Sequence, residues 1–462
     1  MRKPILYFAA ICSLSIIAGC GGGSGNSNSS SSGSSSENTQ VTVTFANGSA
    51  PMQILVQTDS SGFVGLGGQS TGLSTNFTFM VPSSPGRYIL AYSCSPVAVA
   101  GSQPDQLIPA GVGFVFEATL ADGTNLNLGC GPPPPAVPPA NVSPASGMVD
   151  ASAIAGATTF DVLATSADFS GTPIEPYALS FNFSVPVGSD DFVVDAYSVA
   201  ADGKRSTKAL RFLRAQAVPP GNINGGNLVS LGAGDLVSSQ VLTPANMQAG
   251  FTPTANVQYR TSGGTFVPLG VDDSFSYALV PPADAASSDV YIYHVGATST
   301  GSAVDLFQTS ASASALTSIT LPSAWSYSGP AAASDPTFTF NYQGFSGVPL
   351  IAEQAVISWD TGSNAAIEAI TATSSYQNGA TTLSFPSQGF TPPFSGFVAP
   401  PSGASVFWVA TIWAGTAAPP VQYVLPAVYG GGLYRSPASL GTLPVSNVSV
   451  SLVSTSGSYI AP

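Results

Sequence analysis

The sequence predicts an all-β chain of tandem antiparallel β-sandwich modules that follow a disordered N-terminal tether. Segments such as Val41-Thr-Val-Thr-Phe45 and Thr337-Phe-Thr-Phe-Asn-Tyr342 alternate apolar residues with hydroxyl or amide residues. That alternation is the period of a strand with one buried face. In addition, 49 glycines and 39 prolines divide the 462 residues into short segments, and no long segment shows helical periodicity.

The N-terminus has the layout of an export signal. Residues 1–3 are a positively charged start, residues 5–17 are apolar, and a small-residue pair precedes Cys20. The apolar run is several residues too short for a membrane-spanning helix. Ile17-Ala-Gly-Cys20 also resembles the lipobox of bacterial lipoproteins. This resemblance implies that residues 1–19 are removed as a lipoprotein signal peptide and that the Cys20 thiol carries a lipid. The alternative is an ordinary secretory signal in which Cys20 is incidental.

The residues after the cleavage position predict where the protein is held. Gly21 stands where an Asp would resemble an inner-membrane retention signal, so we expect the outer membrane if the host has two membranes. Residues 20–39 consist mainly of Gly, Ser and Asn and cannot pack a core. They predict a flexible tether with a root-mean-square reach of roughly 25 Å.

The cysteines predict one disulfide. The lipobox resemblance implies that Cys12 leaves with the signal and that Cys20 is acylated, so Cys94 and Cys130 remain, outside the cytoplasm where disulfides persist. Neither belongs to a CxxC pair and the chain has one His, so no metal site is expected. We also expect no cofactor.

A recurring strand–proline–strand pattern predicts four modules. Its first two copies run from Phe77 to Pro82 into residues 87–92, and from Phe181 to Pro186 into residues 192–197. Looser copies follow, and successive copies are about one immunoglobulin-like domain apart. The predicted boundaries are 40–131 for the first sandwich, 132–144 for a Pro-rich spacer that separates it from the rest, and 145–238, 239–325 and 326–462 for the other three.

The first copy resembles a known kind of module. Val81-Pro-Ser-Ser-Pro-Gly-Arg-Tyr88 is similar to the corresponding segment of transthyretin-like or carboxypeptidase-regulatory-like modules of bacterial surface proteins. The resemblance implies a Pro-Gly turn followed by an aromatic residue, here Tyr88, that packs between the two sheets. The later copies lack this signature.

Charge excludes one class of partner. The formal net charge is −13 and only 7 % of residues are charged, so the basic footprint that nucleic acid needs is absent. Half of the basic residues lie in one segment, namely Lys204, Arg205, Lys208, Arg211 and Arg214. Two interpretations stay open: a docking patch for an acidic polymer or lipid headgroups, and the solvated side and turn of one hairpin.

Few residues could support catalysis. The single histidine, His294, lies on an apolar strand, and a hydrolytic triad or a catalytic zinc needs more partners than one imidazole. Carboxylate pairs remain as an option, because glycoside hydrolysis runs on two acids. The candidates are Asp190, Asp191, Asp195 and the doublet Asp272-Asp273.

All four tryptophans lie in the C-terminal part of the chain. Trp359 and Trp408 share strand parity with apolar neighbours, so we expect them in a core. Trp413 lies on the opposite face from Trp408, and Trp325 lies in a turn-like segment, so these two form the candidate ligand platform.

These observations favour a lipid-anchored, non-catalytic cell-envelope lipoprotein whose β-sandwich modules act as a surface adhesin or scaffold. Its expected partners are the membrane, through the N-terminal lipid, and an extracellular polysaccharide or an envelope protein. The alternatives are a glycan-binding lipoprotein that uses the C-terminal module, and a carboxylate-based polysaccharide-active enzyme.

Overall fold

The computed structural model describes residues 38–46, 51–58, 62–70, 74–94, 109–128, 141–165, 168–171, 178–219, 223–272, 274–345, 347–360, 365–385, 399–415 and 448–462. In these residues the chain forms 29 β-strands, one α-helix of a single turn (α1, Ser374–Gln377) and two 3-10 turns (Leu120–Asp122 and Ala233–Asp235). The prediction of an all-β chain of tandem sandwiches is confirmed.

Module 1 is a sandwich of two four-stranded layers. Its strands are β1 (Asn38–Ala46), β2 (Gln53–Gln57), β3 (Val64–Gly65), β4 (Gln69–Ser70), β5 (Ser74–Pro82), β6 (Arg87–Cys94), β7 (Pro109–Thr119) and β8 (Asn125–Leu128). One layer has the order β4-β5-β1-β8 and the other has β3-β2-β6-β7. Alternation explains β1: Val41, Val43 and Phe45 are fully buried between the layers, while Thr42 and Thr44 face outward.

Module 2 repeats this plan with its own two sheets. Its strands are β9 (Val142–Asp150), β10 (Thr159–Leu163), β11 (Asp168–Gly171), β12 (Ala178–Pro186), β13 (Gly188–Val199), β14 (Arg205–Val218) and β15 (Ile223–Ser230). The sheets have the orders β12-β9-β15 and β11-β10-β13-β14. In modules 1 and 2 alike, the first strand pairs antiparallel with one neighbour and parallel with the module's last strand.

Modules 3 and 4 each place small strand pairs over a larger sheet. Module 3 contains β16 (Ser238–Val241), β17 (Thr243–Ala245), β18 (Thr252–Arg260), β19 (Phe266–Pro268), β20 (Ser276–Leu279), β21 (Val290–Ser299), β22 (Ser302–Ala311) and β23 (Ser318–Thr320). Module 4 contains β24 (Thr337–Thr339), β25 (Leu350–Asp360), β26 (Ala365–Thr373), α1, β27 (Thr382–Ser384), β28 (Ser405–Gly415) and β29 (Ser449–Ile460). The small pairs are β16-β20, β17-β23 and β24-β27.

The recurring strand–proline–strand unit is present, and its two strands lie in different sheets. β5 pairs with β1 whereas β6 pairs with β2 and β7, and β12 and β13 divide between the two sheets of module 2 in the same way. Pro82 and Pro186 end β5 and β12, and because proline has no N–H to donate, the ladder stops and the chain crosses to the other sheet. Tyr88 then packs between the sheets against Phe79, with ring centroids 5.4 Å apart.

A single twelve-stranded sheet joins three of the four modules. Its order is β19-β18-β21-β22-β29-β28-β25-β26-β7-β6-β2-β3, so module 4 lies between modules 3 and 1. The joins are the antiparallel pair β22-β29 and the parallel pair β26-β7. The expectation that a Pro-rich spacer separates module 1 from the later modules is therefore wrong, because β7 completes its main-chain pairing with module 4. Residues 132–140 of the spacer lie outside the described residues.

The central sheet carries cores on both of its faces. On one face, Phe45, Tyr88, Phe116 and other residues form the core of module 1. On the opposite face, a larger core runs through modules 3 and 4 and includes Tyr259, Tyr291, Trp359 and Trp408. Val115 of module 1 belongs to that larger core. Modules 1, 3 and 4 therefore share one core-bearing sheet.

Candidate functional site

The predicted covalent sites lie at the border of the described residues. Cys20 and Cys130 lie outside them, and Cys94 is buried at the end of β6. Lipid attachment at Cys20 and the pairing of Cys94 with Cys130 stay predictions. Among the described residues, no helix is long and apolar enough to cross a membrane.

The two tryptophans of the predicted ligand platform are buried, and that prediction is wrong. Trp325 is 3 % exposed and stacks on Tyr327 with ring centroids 5.0 Å apart, while its indole N–H donates to the Asn341 side chain at 3.3 Å. Trp413 is 7 % exposed and packs in a cluster with Phe307 and apolar residues of β29. Neither ring offers a face to a sugar.

Burial of both sheet faces explains the error about Trp413. Trp408 is in the main core, as its strand parity predicts, and Trp359 is there too. Up to Ala410, buried residues of β28 alternate with exposed or half-buried ones, and every residue from Thr411 to Gly415 is buried. Parity distinguishes the two faces of a strand, but it does not reveal that the second face is also covered.

Four of the five basic residues in segment 204–214 form internal ion pairs, which favours the hairpin interpretation over a docking patch. Lys204 contacts Asp202 at 3.4 Å, and Arg211 contacts the buried Asp235 at 3.1 Å. Arg205 binds Asp161 and Asp195 with its two terminal nitrogens and lies 3.5 Å above the ring of Tyr197. Burial raises the pKa of Asp195 and the Arg205 guanidinium opposes that shift. The basic residues do lie on one hairpin, as the second interpretation predicts. They are not all solvated, however, since Arg205 is mostly buried.

Arg214 connects module 2 to module 3. Its Nη2 donates to Asp289 Oδ2 at 2.6 Å, and its Nη1 contacts Asp191 Oδ2 at 3.3 Å. Asp289 is fully buried and also accepts hydrogen bonds from the Tyr259 hydroxyl and the Ser262 N–H, each at 2.7 Å. We call these five residues the Arg214 junction.

Ion pairs and aromatic contacts both hold Arg214 in place at the Arg214 junction. Burial lowers the pKa of Arg214, but the bonds and charges of Asp289 and Asp191 outweigh burial and raise it. The guanidinium lies 4.7 Å from the ring of Phe212, which packs edge-on against Tyr259 of module 3 at 5.8 Å. The junction therefore fixes the outer face of β14 against module 3.

The candidate catalytic carboxylates are engaged in structural hydrogen bonds. Asp190 accepts from the Thr165 hydroxyl at 2.5 Å, and Asp191 accepts from the Ala215 N–H at 2.8 Å in addition to Arg214. Asp272 accepts from the N–H groups of Ser274 and Ser276, each at 2.9 Å, and closes a turn. Asp195 is held by Arg205, and Asp273 lies outside the described residues.

His294 contacts an aromatic ring and a carboxylate on the neighbouring strand. Its ring stacks on Phe307 with centroids 4.1 Å apart, and Nε2 lies 3.0 Å from the carboxylate of Asp305 on the neighbouring strand β22. No group of three or more His, Cys, Asp or Glu side chains in the described ranges is arranged to hold a metal ion.

Sequence reasoning missed two glutamates in the central sheet, of which Glu353 is buried and Glu117 is half-buried. Glu353 on β25 and Glu117 on β7 both lie opposite Ala372 on the intervening strand β26, so they share one face of the central sheet. Burial raises the pKa of Glu353 to about 8 and that of Glu117 to about 7. The available signal was a glutamate inside the strand Leu350–Asp360, whose only other charged residue is its last, Asp360.

Comparisons with known proteins add little to this geometry. Neither protein-family models nor curated protein sequences gave a match. Among solved structures, the chain is similar to the tip fimbrial protein Mfa3 from Porphyromonas gingivalis, with 9 % identity over 41 % of this chain and 83 % of that one and a TM-score of 0.15. It is also similar to the FN1-FN3 domains of chicken CNTN1, with 10 % identity over 54 % and 85 % and a TM-score of 0.11. TM-scores this low carry no argument about function.

Proposed function

We propose that this chain is a lipid-anchored, non-catalytic protein of the cell envelope whose sandwich modules form a surface scaffold or adhesin. The observation that carries the proposal is the joining of the modules into one body. Main-chain ladders connect modules 1, 4 and 3, and the Arg214 junction connects module 2 to module 3. A stiff body on the tether predicted for residues 20–39 presents surfaces at a distance from the membrane.

The polar clusters support a structural role. The candidate catalytic groups among the described residues serve as internal hydrogen-bond partners, as shown for Asp190, Asp191 and His294. These hydrogen bonds, together with the burial of Trp325 and Trp413, support the proposed role over the enzyme and glycan-platform alternatives. The proposed partners are the membrane, through the N-terminal lipid, and an extracellular polysaccharide or an envelope protein at the module surfaces.

Membrane fractionation tests the anchor. Cys20→Ala removes the proposed acylation site, so the protein should move from the membrane fraction to the soluble exported fraction. Cys12→Ala is the matched control, because it also removes one cysteine, leaves Cys20 in place and should leave the protein in the membrane. Unchanged membrane association of Cys20→Ala contradicts the anchor, and recovery in the inner membrane of a two-membrane host contradicts the outer-membrane location.

Surface exposure and attachment test the role. A membrane-impermeant biotin reagent should label the full chain on intact cells. Cells that display the protein should also attach to polysaccharide-coated or protein-coated surfaces more strongly than cells expressing Cys20→Ala. Equal attachment contradicts the adhesin role and leaves the scaffold role, whereas absence of labelling contradicts both.

The disulfide is tested separately. Non-reducing peptide mapping of exported protein should give one linked pair that contains Cys94 and Cys130. Free thiols at both positions contradict the pairing. Its closure should contribute roughly 3 to 4 kcal/mol to the free energy of unfolding on the chain-entropy model.

A further inference from the structure

Among the described residues, the longest edge strands belong to module 2. The central sheet ends in β19 and β3, which have three and two residues. Among the described residues, the sheet edges longer than four residues are β12, β14 and β15. A long open edge presents unpaired main-chain N–H and C=O groups to another strand.

Two of these edges are protected. β14 carries four basic residues, and its outer side is bridged by the pairing of Ala209 with Leu236. β15 has a register shift between Asn224 and Leu228. Charged side chains and bulges are the usual devices that keep a sheet edge from pairing with another chain.

β12 has none of these protections. Its nine residues, ALSFNFSVP, include no charge and pair with β9 in one unbroken register. Ser180, Asn182 and Ser184 are exposed on the outer face. Phe181 and Phe183 point toward the core and remain half-buried, with ring centroids 5.8 Å apart.

The β12 sequence is symmetric about Asn182. Reading outward from Asn182, the pairs are Phe with Phe, Ser with Ser, and Leu with Val. When such a strand pairs antiparallel with its own copy about a two-fold axis at Asn182, Phe181 lies opposite Phe183 and Ser180 lies opposite Ser184. Like side chains then face each other on each side of the sheet, as an isologous interface requires.

We propose that β12 is a self-association edge, through which two copies of this chain pair antiparallel about a two-fold axis at Asn182. The pairing joins the two β12-β9-β15 sheets into one six-stranded sheet and covers the half-buried phenylalanine rings. In module 1 the equivalent edge carries a strand over two residues: β5 pairs with β1 as β12 pairs with β9, and Thr75 and Asn76 of β5 pair antiparallel with β4.

Sedimentation of the full chain tests the proposal. The wild-type protein should sediment as a dimer at concentrations on the order of 100 µM, because one strand pair forms an interface of the weak class. Asn182→Lys places two like charges at the two-fold axis and should weaken dimerisation about tenfold or more. The control Met148→Lys adds the same charge at an exposed position on β9, away from the axis, and should leave the dimer intact.

Cross-linking tests the register. Asn182→Cys places two cysteines opposite each other with Cβ atoms about 4.5 to 5.5 Å apart, close enough for a disulfide after a small adjustment. Mild oxidation should therefore give a covalent dimer with Asn182→Cys and none with Met148→Cys. A monomeric wild-type protein overturns the proposal, as does a dimer that Asn182→Lys and Met148→Lys affect equally. Unchanged melting temperatures in both lysine variants confirm that the comparison concerns association and not folding.

Discussion

Asp289→Ala is the sharpest test of the junction between modules 2 and 3. Asp289 has no solvent exposure, and four groups donate to it: Arg214 Nη2 at 2.6 Å, the Tyr259 hydroxyl at 2.7 Å, the Ser262 N–H at 2.7 Å and the Ala286 N–H at 3.0 Å. The substitution removes the common acceptor of all four donors. Two modules lose a shared buried charge in one step.

The expected magnitude follows from these donors. A buried donor left without an acceptor costs about 1 to 3 kcal/mol, so four of them set an upper limit that relaxation and water entry reduce. Arg214 is 27 % exposed and retains Asp191 as a partner, so its share of this cost is small. Removing one partner of a buried ion pair usually costs about 3 to 5 kcal/mol, and we expect a loss in that range.

Urea unfolding measures the loss. With a denaturant slope of about 2 kcal/mol per molar urea, the unfolding midpoint of the affected modules should fall by about 1.5 to 2.5 M. Hydrogen exchange should show the loss of protection in β14 and β21, which flank the junction, and not in β1 and β5 of module 1.

An exposed ion pair provides the control for Asp289→Ala. Asp202→Ala removes the solvent-exposed partner of Lys204 and should leave the midpoint unchanged within experimental error. If Asp289→Ala shifts the midpoint no more than Asp202→Ala, the reasoning about the junction is refuted. Asp289→Asn should fall between them, because the amide keeps one acceptor oxygen but loses the charge.

Three further predictions concern buried residues. Trp325→Ala and Trp413→Ala should each destabilise the fold by about 3 to 5 kcal/mol through cavity formation, which thermal unfolding will measure. Gly457→Ala places a Cβ 2.6 Å from Trp408 Cζ2 and should cost about 1 to 3 kcal/mol in urea unfolding. Between pH 4.5 and about 8, native Glu353 binds more protons than the unfolded chain, so wild-type stability falls as pH rises. Glu353→Gln should reduce this slope, to which Glu117 and Asp195 still contribute, and should stabilise the protein by about 2 to 4 kcal/mol at pH 8.

Each of these predictions has an outcome that contradicts it. Normal melting temperatures in both tryptophan variants are incompatible with buried rings. Gly234→Ala is the control for Gly457→Ala, because no atom lies within 4 Å of its added Cβ. Equal sensitivity of the two glycine variants contradicts the proposed clash with Trp408. For Glu353→Gln, the same stability difference from wild type at pH 5 and pH 8 contradicts the raised pKa.

Local patterns in the sequence determine the strands and the repeat. Val41, Val43 and Phe45 alternate with threonines, and only a strand places such residues on one buried face and one outer face. The prolines that end β5 and β12 mark each crossing between sheets, because proline cannot donate to a ladder. Strand alternation also predicts the position of Trp408, because its apolar neighbours on the same face belong to the core that it occupies.

Tertiary structure decides how strands that are distant in sequence meet. The pairing of β7 with β26 joins residues about 256 positions apart, and nothing local in either strand specifies its neighbour at the edge. Arg214 and Asp289 are 75 positions apart, so their contact depends on how two modules pack. Trp413 is buried in a cluster with Phe307 of β22 and apolar residues of β29, strands that become its neighbours only in the folded sheet. A strand encodes which of its faces is apolar, but the element that covers each face comes from elsewhere in the chain and is known only once the modules pack.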